Sequence, residues 1–194
     1  MAQYMPKNYE HLLGMAGFSD QLLKNHFALY QGYVANTNKV ADVLADLAKA
    51  DKKGTPEYAE LKRRFGWEFN GMRLHELYFH NLTRTPKAPD KESRLIKQIQ
   101  KEFSSVEAWE KDFRSVGAMR GIGWVALYHE PVANRLWNTW INEHDVGHLA
   151  GCVPLLIMDV FEHAFMIDYG LKRADYIAAF FRSINWDVVV GRFK

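Results

Sequence analysis

A single cysteine, Cys152, stands in this chain of 194 residues, so no disulfide closes within it, and a lone thiol suits a reducing compartment. Long apolar runs are missing too: no stretch approaches the roughly 18 to 20 residues of a membrane-crossing helix. Neither sign of charge dominates. Twenty-five basic residues face 23 acidic ones, and a net charge of +2 does not supply the basic face of a dedicated nucleic-acid binder. The opening residues Met1 to Lys7 hold no apolar segment of the kind a secretory leader carries. The sequence has no internal repeat and no low-complexity segment. These absences predict a cytoplasmic globular chain with no membrane or nucleic-acid partner.

What is present is apolar and aromatic surface: 48% of residues are hydrophobic and 14% aromatic, enough for a sizeable core without cross-links. Ser19 reads as a helix N-cap, and apolar residues from Leu22 to Leu47 recur at threes and fours, predicting a helix that runs to about Ala50. Thr55-Pro56 reads as cap and first helical position of a second long helix through Phe79. The two predict an antiparallel hairpin. Thr83 to Asp90, polar with two prolines, is the best boundary. Beyond it we expect helices over Lys91 to Phe103 and Ser105 to Met119. Strands are then expected over Gly121 to His129, Asn134 to Ile141 and Val153 to Met158, and a helix over Arg173 to Ile184. The class is α+β: an N-terminal helical hairpin (1–86) and a C-terminal domain (87–194) of helices around a small three-stranded antiparallel sheet.

The chemistry gathers at the end of the third strand. Val153 to Met158 is almost wholly apolar, yet it delivers Asp159, Glu162 and His163 in quick succession. If the chain turns helical there, Asp159 and His163 share a face and can hold one ion, while Glu162 is free to take an imidazole N–H. His26 and Tyr33 lie seven apart on the first helix and share a face; His75 lies on the second. One histidine from each helix, with Asp159 and His163, makes three imidazoles and one carboxylate, a set that suits Zn, Fe or Mn and leaves room for solvent or substrate. The alternative for each histidine is a hydrogen-bonded core residue. His80 follows His75 at i+5 and faces away. His144 and His148, at i and i+4, read as an unrelated loop pair rather than a second metal site.

Asp159-Val-Phe-Glu-His-Ala-Phe165 resembles the D-V-W-E-H-A-Y signature of the iron/manganese superoxide dismutases. Further likenesses follow in order along the chain. They are His26 with Tyr33-Val34-Ala35-Asn36-Thr37-Asn38, Asn70-Gly71 ahead of His75, Gly121-Ile122-Gly123-Trp124, Tyr169 with Arg173, Asp175 and Tyr176, and Asn185-Trp186. The resemblance implies a superoxide dismutase with one Fe or Mn ion per chain on His26, His75, Asp159 and His163, solvent as fifth ligand, and the site between the two domains. It implies Tyr33 in the substrate funnel, Trp124 and Phe161 as walls, Arg173 at the entrance, and a homodimer in which Glu162 reaches His163 of the partner subunit. The family places a glutamine near the metal from one of two positions; Gly71 stands at the first and His144 at the second, so His144 is expected to take over that hydrogen bond. The sequence departs from the family in three places. The spacing from first ligand to funnel tyrosine is one residue short, which predicts either a local rewinding of the helix around His26 or Asn25 in the ligand register. Leu29 or Tyr30, with Met166, stand where a second dimer contact is usual. Phe161 replaces a tryptophan. The competing readings are an inactive relative serving as an interaction subunit, and a zinc hydrolase on the same ligands.

Overall fold

A computed structural model describes residues 2–194. After a single 3₁₀ turn at Glu10–Leu12, helix α1 spans Asp20–Lys49 and α2 spans Pro56–His80. Each starts where its cap says it should. The Ser19 hydroxyl accepts from the Leu22 amide and the Thr55 hydroxyl from the Tyr58 amide, each satisfying an otherwise unpaired first-turn donor. The two helices pack antiparallel, burying Leu22, Leu23, Phe27, Tyr30 and Val34 of α1 against Met72, Leu74, Tyr78 and Phe79 of α2.

Helices α3 (Arg94–Phe103) and α4 (Val106–Gly117) follow the proline-bearing connection. Three strands then form one antiparallel sheet in the order β2-β1-β3: β1 Gly123–Glu130, β2 Arg135–Asn142 and β3 Val153–Asp159. The central strand, β1, is buried along nearly its whole length, because helices cover the sheet. Helices α5 (Met166–Tyr169), α6 (Arg173–Phe181) and α7 (Trp186–Arg192) close the chain. The α+β class stands, with these differences. Helix α3 begins at Arg94 rather than Lys91, because Ser93 takes the Ile96 amide as its cap. The helix expected up to Ile184 breaks after Phe181, and α7 was not foreseen.

The hairpin meets the sheet through α2 and β3. The Asn81 side chain, at the end of α2, donates to the Ile157 carbonyl of β3 at 2.8 Å. Half-buried Arg192 donates to Asn81 Oδ1, the Leu155 carbonyl and the Leu77 carbonyl. One continuous apolar core runs from Tyr9 to Phe193 through both halves, so α1, α2 and the end of β3 are held rigidly against one another. Among the described residues no helix is long and apolar enough to cross a membrane.

Candidate metal centre

Four side chains from three separate elements converge at the end of β3. Nε2 of His26 lies 3.2 Å from Oδ2 of Asp159, Nε2 of His163 lies 3.1 Å from it, and Nε2 of His75 lies 3.8 Å away. The four ligand atoms all fall within 4.8 Å of one another. His26, His75 and Asp159 are buried; His163 is partly so. Two of these side chains are also oriented from behind. The Gly71 carbonyl, 2.6 Å from Nδ1 of His75, can only accept, so that nitrogen carries the proton and Nε2 offers a bare lone pair to the cluster. Oδ1 of Asp159 accepts the Phe161 amide at 2.8 Å, and Tyr176, supported by Tyr78, donates to the Asp159 carbonyl at 2.6 Å.

The donor set fits a metal ion better than it fits a protein-only hydrogen-bond network. Nε2 of His75, which faces the cluster, is buried with no protein partner, a costly condition for a polar nitrogen. The electrostatics agree. Burial drives the pKa of His26 down, and that of His75 well down with the further help of the neighbouring His26 charge, so both favour the neutral, ligating form. Burial opposes the Asp159 charge, but His163 and His26 overcome it and hold the carboxyl below the ordinary range. Imidazoles and a carboxylate are ligand types that divalent and trivalent first-row metals accept.

Two expectations about local geometry are corrected. Asp159 and His163 do not share a helix face: Asp159 ends β3 and His163 sits in a 3₁₀ turn, Glu162–Ala164, which folds the imidazole back onto the carboxylate. Nor is α1 rewound at His26. It is an uninterrupted α-helix in which Asn25 is exposed and His26 buried, and the seven-residue spacing places Tyr33 two turns on along the same face.

A wall of aromatic residues surrounds the cluster. Trp124 meets His75 edge-on at 4.9 Å, and Phe161 stacks on His144 at 4.8 Å and on His163 at 5.2 Å. Tyr33 packs 5.1 Å from His75, over Gly71, where an added Cβ would lie 2.5 Å from Cδ1 of the tyrosine ring. His144 is fully buried. Its Nδ1 accepts from the Trp124 indole at 3.0 Å and its Nε2 lies 2.8 Å from the Tyr33 hydroxyl. Because an indole N–H only donates, the neutral imidazole must carry its proton on Nε2 and donate it to Tyr33. Burial lowers the His144 pKa to about 4 and raises that of Tyr33.

Arg173 spends its guanidinium on the backbone, donating to the Met119 carbonyl at 2.7 Å and to Gly121 at 2.9 Å. Glu162 is exposed, and among the described residues its side chain makes no hydrogen bond or ion pair. Leu29 and Met166 are also exposed, whereas Tyr30 is buried and bonded to Glu76. Trp67 is a functional neighbour that no sequence signal marks. It packs 4.5 Å from His144 and 5.6 Å from Tyr33, donates to Glu143, and carries the Arg64 guanidinium on its face. No periodicity marks it, since it contributes through a contact across two helices and a loop.

Residues 91–192 match the family described as iron/manganese superoxide dismutases, C-terminal domain. The chain is 37% identical to the iron superoxide dismutase of Aquifex pyrophilus, over 97% of this chain and 90% of that one. It is 33% identical to a manganese superoxide dismutase of Haloferax volcanii over 97% and 94%. Against the iron superoxide dismutase of Cupriavidus metallidurans it is 35% identical over 92% and 90%. Relatives named for either metal thus lie at similar distances.

Proposed function

The chain belongs to the iron/manganese superoxide dismutases and converts superoxide to oxygen and hydrogen peroxide; we propose that one iron or manganese ion does this work between His26, His75, Asp159 and His163. The observation that carries the assignment is the unpartnered Nε2 of His75, turned by Gly71 toward the Asp159 carboxylate and two further imidazoles. When bound, the ion would supply one-electron redox chemistry, and His26, His75, Asp159 and His163 would hold it. Two superoxide ions and two protons thereby become one oxygen and one hydrogen peroxide.

The chain's own residues handle the anion and the protons. His144 donates its Nε2 proton to the Tyr33 oxygen, which leaves the phenolic hydrogen of Tyr33 free to point elsewhere. We assign proton delivery to Tyr33 and the fixing of its orientation to His144. Trp124 and Phe161 exclude bulk water from the ligand cluster, which strengthens every polar interaction inside it. Gly71 leaves the space that the Tyr33 ring fills. Arg173 braces the segment from Met119 to Gly121, and we read its positive charge as favouring approach of a small anion.

The same reading divides the chain into the hairpin 1–86 and the unit 87–194, with the site between them. It makes the protein a homodimer in which Glu162 pairs with His163 of the partner subunit. Support comes from the unpaired Glu162 carboxylate and from exposed Met166, Ile167 and Leu171 beside it in sequence. The single cysteine and near-neutral charge favour a cytoplasmic protein that engages neither membrane nor nucleic acid. The grounds for an inactive relative are the shortened spacing at His26 and a missing dimer contact; the uninterrupted α1 removes the first. Elemental analysis, then dismutation assays after loading with iron and separately with manganese, tests the assignment. One ion per chain with activity is expected; failure of both metals to restore activity would defeat it.

A further inference from the structure

His144 is carried by a turn rather than by a helix or strand, yet its ring is fully buried. The chain leaves β2 at Asn142, pairs with Val146 across a narrow bridge and turns back toward β3. Glu143 takes φ +49°, a left-handed conformation unusual for its type, and Gly147 takes φ +110° where a Cβ would run into the Trp140 carbonyl oxygen. Trp124 and Tyr33 fix the imidazole. The backbone of the same residue is held by His148, whose Nε2 lies 2.9 Å from the His144 carbonyl.

The direction of the bond to the His144 carbonyl is determined. A carbonyl only accepts, so Nε2 of His148 carries a proton and donates. The other ring nitrogen, Nδ1, lies 3.0 Å from the Tyr128 hydroxyl and hydrogen-bonds with it. Tyr128 is buried in β1, four residues after Trp124. Alternate residues of a strand share a face, so Trp124 and Tyr128 project to the same side. One rigid strand therefore grips His144 at two points, the ring through Trp124 and the carbonyl through Tyr128 and His148.

We propose that His148 is a positioning residue for dismutation: with Tyr128 it pins the His144 carbonyl, and thereby sets the imidazole against the Tyr33 hydroxyl. The proposal rests on the reading above that His144 and Tyr33 serve turnover. Without the grip at the carbonyl, the imidazole is free to pivot about its bond to Trp124, and the 2.8 Å contact with Tyr33 is no longer enforced.

The test compares metal-loaded wild type with His148→Leu, His148→Gln and Tyr128→Phe, measuring metal content, dismutation rate and amide hydrogen exchange over residues 142–149. Leucine removes both bonds, whereas glutamine retains a donor and an acceptor at similar separation. His148→Leu is expected to keep its metal, lose about tenfold in rate and exchange faster in this segment, with His148→Gln within about twofold of wild type. A His148→Leu enzyme as fast as wild type, one that loses its metal, or a glutamine variant as slow as the leucine one would overturn the proposal. If His148→Leu does not fold, Tyr128→Phe decides, since unchanged rate and exchange there also overturn it. A wild type that binds metal without activity would instead defeat the functional reading itself.

Discussion

The Tyr33 hydroxyl and Nε2 of His144 lie 2.8 Å apart, and Trp124, by occupying the other nitrogen of the imidazole, makes His144 the donor in that bond. The two residues are 111 positions apart in sequence and join the first helix to the turn after β2. Tyr33→Phe and His144→Leu should each lower the dismutation rate, by about 10- to 100-fold if these groups act as outer-shell partners usually do. Metal content should stay near one ion per chain. His144→Gln should recover part of the loss, because its amide can still donate to Tyr33. Comparison of rates with melting temperatures checks this; a loss of activity fully matched by a loss of folded protein would count against it.

A small residue is required at position 71 for a steric reason. A Cβ there would lie 2.5 Å from Cδ1 and 2.7 Å from Cε1 of Tyr33, and an aromatic ring has no flexible end to give way. Gly71→Ala should therefore push the Tyr33 ring off His144. Overpacking of this kind costs about 1–3 kcal/mol, partly offset by alanine's better helix propensity of about 1 kcal/mol. We expect a modest fall in melting temperature and a larger fall in rate. A second change, Tyr33→Phe, should add little to the rate loss, because the first has already broken the contact; additive losses would contradict the steric account.

Much of this arrangement is legible in the sequence because local signals decide it. Hydroxyl caps at Ser19, Thr55 and Ser105 mark helix starts, and the apolar run into Asp159 marks the strand that carries the carboxylate. Where local signals are weak, the reading slips. Helix α7 has only seven residues and its cap position, Asn185, makes no side-chain cap bond, so tertiary packing rather than propensity defines it. Asp159 and His163 suggested one helix face by their spacing, but the 3₁₀ turn brings them together by another route. The one-residue shortening between His26 and Tyr33 suggested a distorted helix; seven residues are simply two turns, which the regular α-helix already accommodates. Trp67 carries no sequence signal, and His148, which the spacing reads as unrelated to His144, in fact bonds to its carbonyl; both misses have a different cause. Each acts through contacts made only when a distant segment folds beside it, and neither spacing nor composition records such contacts.

Glu162 offers a test of assembly that does not depend on catalysis. Its carboxylate is exposed and makes no ion pair among the described residues, while Met166, Ile167 and Leu171 present apolar surface nearby in the chain. Pairing of Glu162 with His163 of the partner subunit would desolvate the carboxylate, so breaking the pair by Glu162→Ala should weaken association by about 2–5 kcal/mol. Sedimentation over a range of concentrations should show the dimer of the wild type giving way to monomer in the variant. A wild type that is monomeric throughout would dispose of the homodimer reading.

The pH dependence of stability can be separated from metal loss at a site remote from the cluster. Glu102, near the end of α3, accepts from the Arg135 guanidinium at 2.9 Å, from the Leu136 amide at 3.1 Å and from Gln98. Burial works against its charge, but Arg135, Leu136 and Gln98 together lower its pKa below that of a free glutamate. The sign follows. A depressed pKa in the folded state means the unfolded chain binds the proton more readily, so the contribution is complete above the unfolded value and fades as pH falls through the folded one. Hydrogen bonds to a charged group are worth about 1.5–3 kcal/mol, and half-exposed Arg135 places the estimate for Glu102→Gln at the low end. The variant should melt clearly below wild type at neutral pH, and the gap should narrow in acid. Protonation of Asp159 and loss of metal burden both proteins equally, so the difference between the two melting curves isolates Glu102. A gap that stays constant from neutral pH into acid would show that the carboxylate's charge contributes nothing to the tie between α3 and β2.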